Sequence, residues 1–250
     1  MRVLVACEFS GVVRDAFAAL GHDAWSCDLL PSEAAGLHYQ GDVTHVLDGW
    51  VPVRHQSECD PDGSGWCGIV DADPATCCCL GPTQDDVEYR VLDGTLFGRP
   101  RHAPHWDLMI AHPPCTYLAS SGLHWNARRP ERQALTEDAI RFVRQLADAP
   151  IPRIAVENPI GCLSTRWRKP EQIIQPWMFG HDASKATCLW LKNLPLLEPT
   201  DVLPGGRSAR RGNQTASGQN RLPPSPDRWK IRAQTYQGIA DAMAAQWGSL

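Results

Sequence analysis

A cysteine held directly behind two prolines is the most chemically suggestive feature of this 250-residue sequence. Cys115 follows Pro113 and Pro114, whose rings restrict the backbone ahead of the thiol. A nucleophilic cysteine needs a fixed position, access for its substrate, and either a lowered pKa or an activated substrate. The alternative is purely structural, because cysteine is often a small buried side chain.

A carboxyl group supplies the second candidate for chemistry. Glu157 begins the segment Glu-Asn-Pro, about 40 residues after the cysteine. A carboxyl group with a raised pKa can hold or donate a proton to a bound heterocycle. A capping or ion-paired acid is the structural alternative.

The elements that would position these residues start with a β-α-β pattern at the N-terminus. Residues 2–7 form a β-branched apolar run, and residues 12–21 have a helical pattern with Val13, Phe17 and Leu20 on one face. A second strand pattern covers residues 22–30 and contains Asp28. A strand, helix and strand in this order predict a parallel sheet with a right-handed crossover.

The rest of the chain continues the alternation. The run "WDLMIA" precedes the cysteine, "PRIAVENP" contains the acid, and residues 187–197 suggest a further strand or strand-turn. Residues 129–149 predict an amphipathic helix, and residues 233–248 predict another. The apolar face of the first of these helices comprises Leu135, Ala139, Phe142, Val143 and Leu146.

These patterns predict a single α/β domain over residues 1–250, with a doubly wound, mostly parallel sheet. Residues 51–104 break the rhythm and are interpreted as a Cys-rich insertion, and residues 192–230 as an irregular basic loop region. Ligands bind beyond the carboxyl ends of the strands in such sheets. Residues placed there by the pattern are Glu8, Asp28, Cys115 and Glu157.

Four ordered segments resemble the cytosine-C5 DNA methyltransferase family. The Pro-Pro-Cys segment at 113–115 is similar to the family's nucleophile motif, and Glu-Asn-Pro at 157–159 to its Glu-Asn-Val motif. Residues 5–28 resemble its loop, helix and second strand around S-adenosylmethionine, and "GDV" at 41–43 resembles its adenine-contacting segment. The resemblance implies a Rossmann-like methyltransferase fold.

The resemblance also implies an activity. Cys115 would add to C6 of a pyrimidine in DNA while Glu157 protonates or hydrogen-bonds N3, and C5 would then take a methyl group from S-adenosylmethionine. A base in duplex DNA must leave the stack first, which costs a few kcal/mol. The implied cofactor residues are Glu8, Phe9, Ser10, Gly11, Asp28, Asp42 and Pro113. The implied substrate residues are Pro114, Asn158, Lys185, Thr187, Arg207, Arg210 and Arg211.

The chain departs from the family pattern at several points. Its first loop has one glycine, Gly11, and Pro159 stands in place of valine. The segment 184–191 occupies the place of the family's Gln-x-Arg-x-Arg, with Cys188 where an arginine would contact the base. Lys185 or Thr187 could substitute for this arginine, or an arginine of the basic loop could reach in, namely Arg207, Arg210 or Arg211. Only residues 192–230 stand in place of a target-recognition region, which suggests a compact enzyme of phage type.

Five cysteines cluster in the predicted insertion. We interpret Cys59, Cys67, Cys77 and Cys79 as ligands of a structural zinc, with His55 as a possible replacement for one of them. An insertion with little apolar content would gain folding energy from the metal. Free or redox-active cysteines and an iron–sulfur site are the alternatives.

Composition limits the broad class of protein. The formal net charge is −4, so nucleic-acid binding would need a local basic face. The sequence contains no apolar run long enough for a membrane span, and cysteine-rich cytosolic proteins more often use cysteine for metals or catalysis than for disulfides. We therefore expect a cytoplasmic protein, in the host cytoplasm if it is phage-encoded, with no membrane partner.

Two other functions fit the same residues. The chemistry could act on a free nucleotide such as dCMP or on a modified base, as the altered arginine segment allows. The chain could also be a non-catalytic, zinc-stapled nucleic-acid-binding protein, although the intact Cys115 and Glu157 argue against this.

Overall fold

A seven-stranded sheet forms the centre of the computed structural model, which describes residues 1–53, 87–92, 95–101 and 106–250. The described strands are β1 (Arg2–Ala6), β2 (Asp23–Asp28), β3 (His38–Gln40), β4 (Val51–Pro52), β5 (Val87–Leu92), β6 (Thr95–Pro100), β7 (Leu108–Ala111), β8 (Arg153–Pro159), β9 (Gln172–Ile174) and β10 (Thr187–Lys192).

Helices cover both faces of this sheet. They are α1 (Val12–Ala19), α2 (Ser120–Leu123), α3 (Pro130–Ala147), α4 (Leu163–Arg166), α5 (Arg228–Ala233) and α6 (Gln237–Trp247). Helices α1 and α6 share one hydrophobic cluster with the sheet, and α3 belongs to the cluster on the other face. None of the helices in the described ranges is long and apolar enough to cross a membrane.

The strand order is β3-β2-β1-β7-β8-β10-β9. Strand β1 pairs in parallel with both β2 and β7, β7 pairs in parallel with β8, and β10 runs antiparallel between β8 and β9. The chain therefore winds outward in both directions from β1 and β7, which opens a crevice at their carboxyl ends. The predicted doubly wound, mostly parallel sheet is confirmed.

A second, three-stranded antiparallel sheet in the order β4-β6-β5 lies within residues 51–104. Phe97 of β6 is buried in the cluster that also contains Trp50 and Trp106. The guanidinium groups of Arg90 and Arg99 lie 4.5 and 4.6 Å from the Trp50 ring centroid. The described strands of the predicted insertion thus join the main core, while the boundaries of the insertion stay a prediction.

Two leucines expected on buried helix faces are exposed. Leu20 is 55% exposed because α1 ends at Ala19 and Leu20 only caps it. Leu135 is 39% exposed because the buried stripe of α3 passes through its neighbour, Thr136. The buried stripe continues through Ile140 and Val143, at the spacing of one helix face.

Arg14 is a buried charge that fixes the loop after β2. Its guanidinium donates to the hydroxyls of Ser26 (3.1 Å) and Ser32 (3.2 Å) and to the carbonyls of Ala34 (3.3 Å) and Ala35 (2.8 Å). It also pairs with Asp15 at 2.7 Å. A buried charge is tolerated when its donors are satisfied in this way.

We expect Arg14→Met to lower the free energy of unfolding by about 2–4 kcal/mol, because it removes the donor of the buried Ser26 hydroxyl and of three partly buried acceptors. Urea unfolding would measure the change. Arg141→Met, on the exposed face of α3, is the matched control and should change the value by less than about 0.5 kcal/mol. Equal effects of the two substitutions would contradict the structural role of Arg14.

Candidate active site

The loop between β1 and α1 is organised by the Glu8 carboxylate. This buried carboxylate accepts from the backbone N–H groups of Val13 (2.7 Å) and Arg14 (3.2 Å) and from the Ser10 hydroxyl (3.3 Å). Gly11 has φ +77°, a conformation that favours glycine, and a Cβ there would meet the Arg14 guanidinium at 2.5 Å. Glu8 and Ser10 use these groups to cap α1, and their contact with a cofactor stays a prediction.

The ends of β1, β2 and β3 bring a thiol and two carboxylates together. Burial raises the pKa of Cys7, and the charges of Asp28 and Asp42 raise it further, so the three groups share one environment. Asp28 accepts from Leu30 N–H at 2.9 Å, and burial raises its own pKa. Asp42 accepts from both the N–H and the hydroxyl of Thr44 at 2.9 Å.

This part of the crevice fits the adenosine portion of S-adenosylmethionine. Each carboxylate has acceptor capacity beyond the local bonds that it makes, and ribose hydroxyls and an adenine amine are donors. Cys7 has φ +60°, so the backbone leaves β1 in an uncommon conformation at this point. The Phe9 ring follows it and lies 6.0 Å from the Trp229 ring, measured between centroids.

A buried hydrogen bond joins the two segments that carry Cys115 and Glu157. Asn158 donates from Nδ2 to the Pro113 carbonyl at 2.7 Å. The sequence predicts that Asn158 contacts the substrate. In the structure, an N–H of its amide group donates to this carbonyl within the protein instead. The two segments lie side by side because β7 and β8 are parallel neighbours, so their carboxyl ends meet at one edge.

Backbone pairing holds the cysteine loop against the segment after β8. Cys162 N–H donates to the Leu118 carbonyl (2.9 Å), and Ser120 N–H donates to the Ile160 carbonyl (3.0 Å). Gly161 lies between them, and a Cβ there would come within 1.9 Å of the Leu118 carbonyl oxygen. The glycine therefore permits the close approach that keeps the loop in place.

His112 and Glu157 form a direct pair. Nδ1 of His112 lies 2.9 Å from Oε2 of Glu157, and the two side chains are only 9% and 12% exposed. Nε2 of His112 is buried and has no partner among the described residues. His112 also acts electrostatically on Asp28 and lowers the pKa of that carboxyl slightly against the effect of burial.

The acid and the thiol have pKa values displaced in opposite directions. Burial alone would raise the pKa of Glu157, but hydrogen bonds from His112 and Thr187 and the charge of Lys185 lower it below its ordinary value. The sulfur of Cys115 is partly enclosed although the residue as a whole is exposed, and this burial, with the charge of Glu157, raises its pKa; Lys185 and Arg232 oppose the rise. The pKa of Glu157 is thus lowered, through hydrogen-bond donors that the sequence did not show.

Lys185 and Thr187 lie near Glu157, whereas Cys188 is on the opposite face of the sheet. Residues alternate between the faces of β10, and Cys188 shares the cluster of Val156, opposite to the face of Glu157. The Thr187 hydroxyl lies 3.1 Å from the Lys185 carbonyl and within reach of Glu157. Lys185 donates to the Gln234 carbonyl at 3.0 Å.

The three predicted arginines of the basic loop have different environments. Arg207 and Arg210 are exposed, but Arg211 is buried, donates to the Gly206 carbonyl at 2.9 Å and lies 5.2 Å from the Trp177 ring centroid. Arg211 therefore holds the loop instead of facing a substrate. Sequence reasoning missed Arg232, whose only signal was its place in a basic C-terminal segment.

The predicted zinc ligands Cys59, Cys67, Cys77 and Cys79 lie outside the described residues, as does His55. Within the described ranges, no group of three or more His, Cys, Asp or Glu side chains could hold a metal ion. The structural zinc stays a prediction.

Comparison with known proteins finds matches among solved structures. No protein-family model matches the sequence, and no curated protein matches it. One solved structure that matches is described as a "putative DNA modification methyltransferase encoded within prophage" of E. coli; the match has 13% identity and a TM-score of 0.38, and covers 82% of this chain and 52% of that chain. The present chain has an α/β, Rossmann-like fold, with a mostly parallel seven-stranded sheet and flanking helices.

We expect two substitutions near Cys115 to change the reactivity of its thiol in opposite directions. Glu157→Gln removes a negative charge, lowers the thiol pKa and should speed alkylation by iodoacetamide at pH 8 by about threefold to tenfold. Lys185→Met removes a positive charge and should slow it by a similar factor. Mass spectrometry of the peptide containing Cys115 separates it from the other nine cysteines.

Glu198→Gln, an exposed acid outside the site, is the charge-matched control and should react like the unsubstituted protein. If Glu157→Gln and Lys185→Met shift the rate in the same direction, the electrostatic description of the site is wrong.

Proposed function

We propose that the protein is an S-adenosylmethionine-dependent methyltransferase that acts on C5 of a pyrimidine, cytosine, in DNA. The observation that carries the proposal is the joint placement of Cys115 and Glu157 at neighbouring strand ends, tied by the Asn158–Pro113 hydrogen bond. A thiol and a carboxylate beside one crevice are the groups that addition to a pyrimidine ring requires. Resemblance to the cytosine-C5 family supports the choice of ring and of atom.

The cofactor would lie at the ends of β1, β2 and β3. Asp28 and Asp42 offer acceptors for its hydroxyl and amine groups. Phe9 follows β1, and Pro113 follows β7, the parallel neighbour of β1. When bound, the cofactor supplies an electrophilic methyl group for C5.

The opposite pKa displacements of thiol and acid define the route of the proton. Glu157 is ionised at neutral pH and Cys115 is protonated, so Glu157 accepts the thiol proton as the sulfur forms its bond to C6. The C5=C6 electron pair moves to C4=C5, and the C4=N3 pair moves onto N3, which takes the proton from Glu157. C5 becomes nucleophilic and takes the methyl group. The C5 proton then leaves to water, the C5=C6 double bond re-forms as the thiolate leaves C6, and the N3 proton returns through Glu157 to the sulfur, which restores the aromatic base.

The direct test is incubation with S-adenosylmethionine and duplex DNA, single-stranded DNA or dCMP, followed by digestion and mass analysis of the nucleosides. We expect 5-methylcytosine from DNA and none with Cys115→Ala. A single-stranded oligonucleotide carrying 5-fluorocytosine should trap a covalent adduct with the unsubstituted protein, because fluorine cannot leave C5 as a proton does. Full turnover by Cys115→Ala would show that the addition step is wrong.

A free nucleotide is the second candidate substrate. It is favoured by Cys188, which stands where the family has a base-contacting arginine and faces away from Glu157. Methylation of dCMP without methylation of DNA in the same assay would select it.

We further propose that His112 positions Glu157 by donating from Nδ1 to Oε2. His112→Ala removes this donor, so we expect kcat to fall by about tenfold or more, since a hydrogen bond to a charged group contributes about 1.5–3 kcal/mol. The pKa of Glu157 should rise, and the loss of activity toward acid pH should begin at higher pH, because Glu157 must be ionised to accept the thiol proton. Lys185 and the thiols of Cys115 and Cys188 are the other charged or titratable groups that interact with Glu157.

His112→Asn is the matched variant, because its amide can donate from nearly the same place as Nδ1. It should restore most of kcat and the original pH profile. If His112→Ala leaves the pH profile unmoved, His112 does not act through Glu157.

A further inference from the structure

Two exposed tryptophans border the reaction centre and have no role in the chemistry above. Trp125 is 39% exposed and lies in the 3-10 helix His124–Ala127, ten residues after Cys115. Trp229 is 53% exposed and lies in α5. They are the only aromatic side chains among the large exposed hydrophobic residues of the described ranges.

Each tryptophan carries cations beside its ring. The guanidinium carbons of Arg128 and Arg129 lie 5.5 and 5.4 Å from the Trp125 ring centroid, and both arginines are exposed. The Lys230 ammonium lies 5.8 Å from the Trp229 centroid. Residues 185–236 contain nine lysines and arginines against three acids, in a chain whose net charge is −4.

Helix α5, which carries Trp229, is held against the candidate site. The Trp229 ring lies 6.0 Å from that of Phe9, and Gln234, just after α5, is held by Glu33 at 2.9 Å and by Lys185 at 3.0 Å. Arg232 of α5 is close enough to the Cys115 sulfur for its charge to act on the thiol.

The 3-10 helix that carries Trp125 is held to the residues that follow Cys115. Arg132 donates to the Thr116 carbonyl at 3.3 Å and lies 4.7 Å from the Tyr117 ring centroid. The Thr136 hydroxyl lies 3.2 Å from the Tyr117 carbonyl and accepts from Asn126, the neighbour of Trp125, at 2.9 Å. Two elements near Cys115 therefore each present an indole with cations.

We propose that Trp125 with Arg128 and Arg129, and Trp229 with Lys230, form a binding surface for single-stranded DNA near Cys115. Indole faces stack on unpaired bases and cations contact phosphates, which is how single strands are bound without reading their sequence. Bases in a duplex are already stacked on one another, so these faces favour an unpaired strand. The inference rests on the proposed function for the role of Cys115 and narrows its substrate to single-stranded DNA.

Fluorescence anisotropy of a labelled deoxyoligonucleotide of about 20 nucleotides tests the surface with the full chain. Trp125→Ala and Trp229→Ala should each weaken binding by about 5- to 150-fold. Replacing Arg128 and Arg129 together by alanine should reduce the slope of log affinity against log salt by about 1.4, as for two phosphate contacts on a single strand. Arg141→Ala on the exposed face of α3 is the control and should bind like the unsubstituted protein.

Duplex DNA of the same sequence and the matching RNA strand complete the comparison. Tighter binding of the single DNA strand supports the proposal; equal or tighter binding of duplex or RNA, or tryptophan variants that bind like the control, would overturn it. Cys115→Ala should bind the strand normally and form no product. Strand binding with no methylated product from any substrate would overturn the proposed function and leave the binding surface standing.

Discussion

The hydrogen bond from Asn158 to the Pro113 carbonyl is the contact on which the candidate site depends most. It is buried, 2.7 Å long, and joins the ends of two parallel strands, each of which carries one of the two reactive groups. Its worth is positional: it sets the cysteine loop against the segment of Glu157, and the pairing around Gly161 extends the same contact over several residues. Pro113 and Pro114 restrict the backbone of the cysteine loop. Few conformations are therefore available in which the thiol would lie away from the crevice.

Within this frame, charge decides the chemistry. A carboxylate beside a thiol would ordinarily hinder a cysteine enzyme, because it raises the thiol pKa. Here the carboxylate is ionised by His112, Thr187 and Lys185 against the effect of burial, so it can receive the proton that the thiol must lose. In the proposed reaction, the resting thiol is kept in its less reactive form, and its attack is coupled to proton transfer toward the bound ring. The same carboxylate would then serve as a base for the sulfur and as the proton donor for the heterocycle.

The sequence predicted the sheet and the residues at the ends of its strands. It did not predict features that depend on contacts between elements distant in the chain. Alternating strands and helices predicted the parallel sheet, and parallel strands bring Asp28, Asp42, Cys115 and Glu157 to one edge. It could not show that Glu8 is used to cap α1, that Arg14 is buried among loop carbonyls, or that Arg211 packs on Trp177, because each of these depends on partners set by tertiary packing. The face of Cys188 was in principle readable from strand alternation, but only once the bounds and pairing of β10 were known.

The C-terminal segment completes the site from far along the chain. Residues 228–236 contact the cofactor loop through Trp229 and Phe9 and contact the reaction centre through Gln234 and Lys185, and Arg232 acts on the thiol. These contacts connect elements more than 40 residues apart, so they form only when the sheet and α6 are in place. One short helix therefore packs near Phe9 and carries the arginine that acts on the thiol, so a change in the position of α5 would affect both surroundings. The basic residues of this segment add positive charge beside the ends of the sheet strands that carry the candidate site.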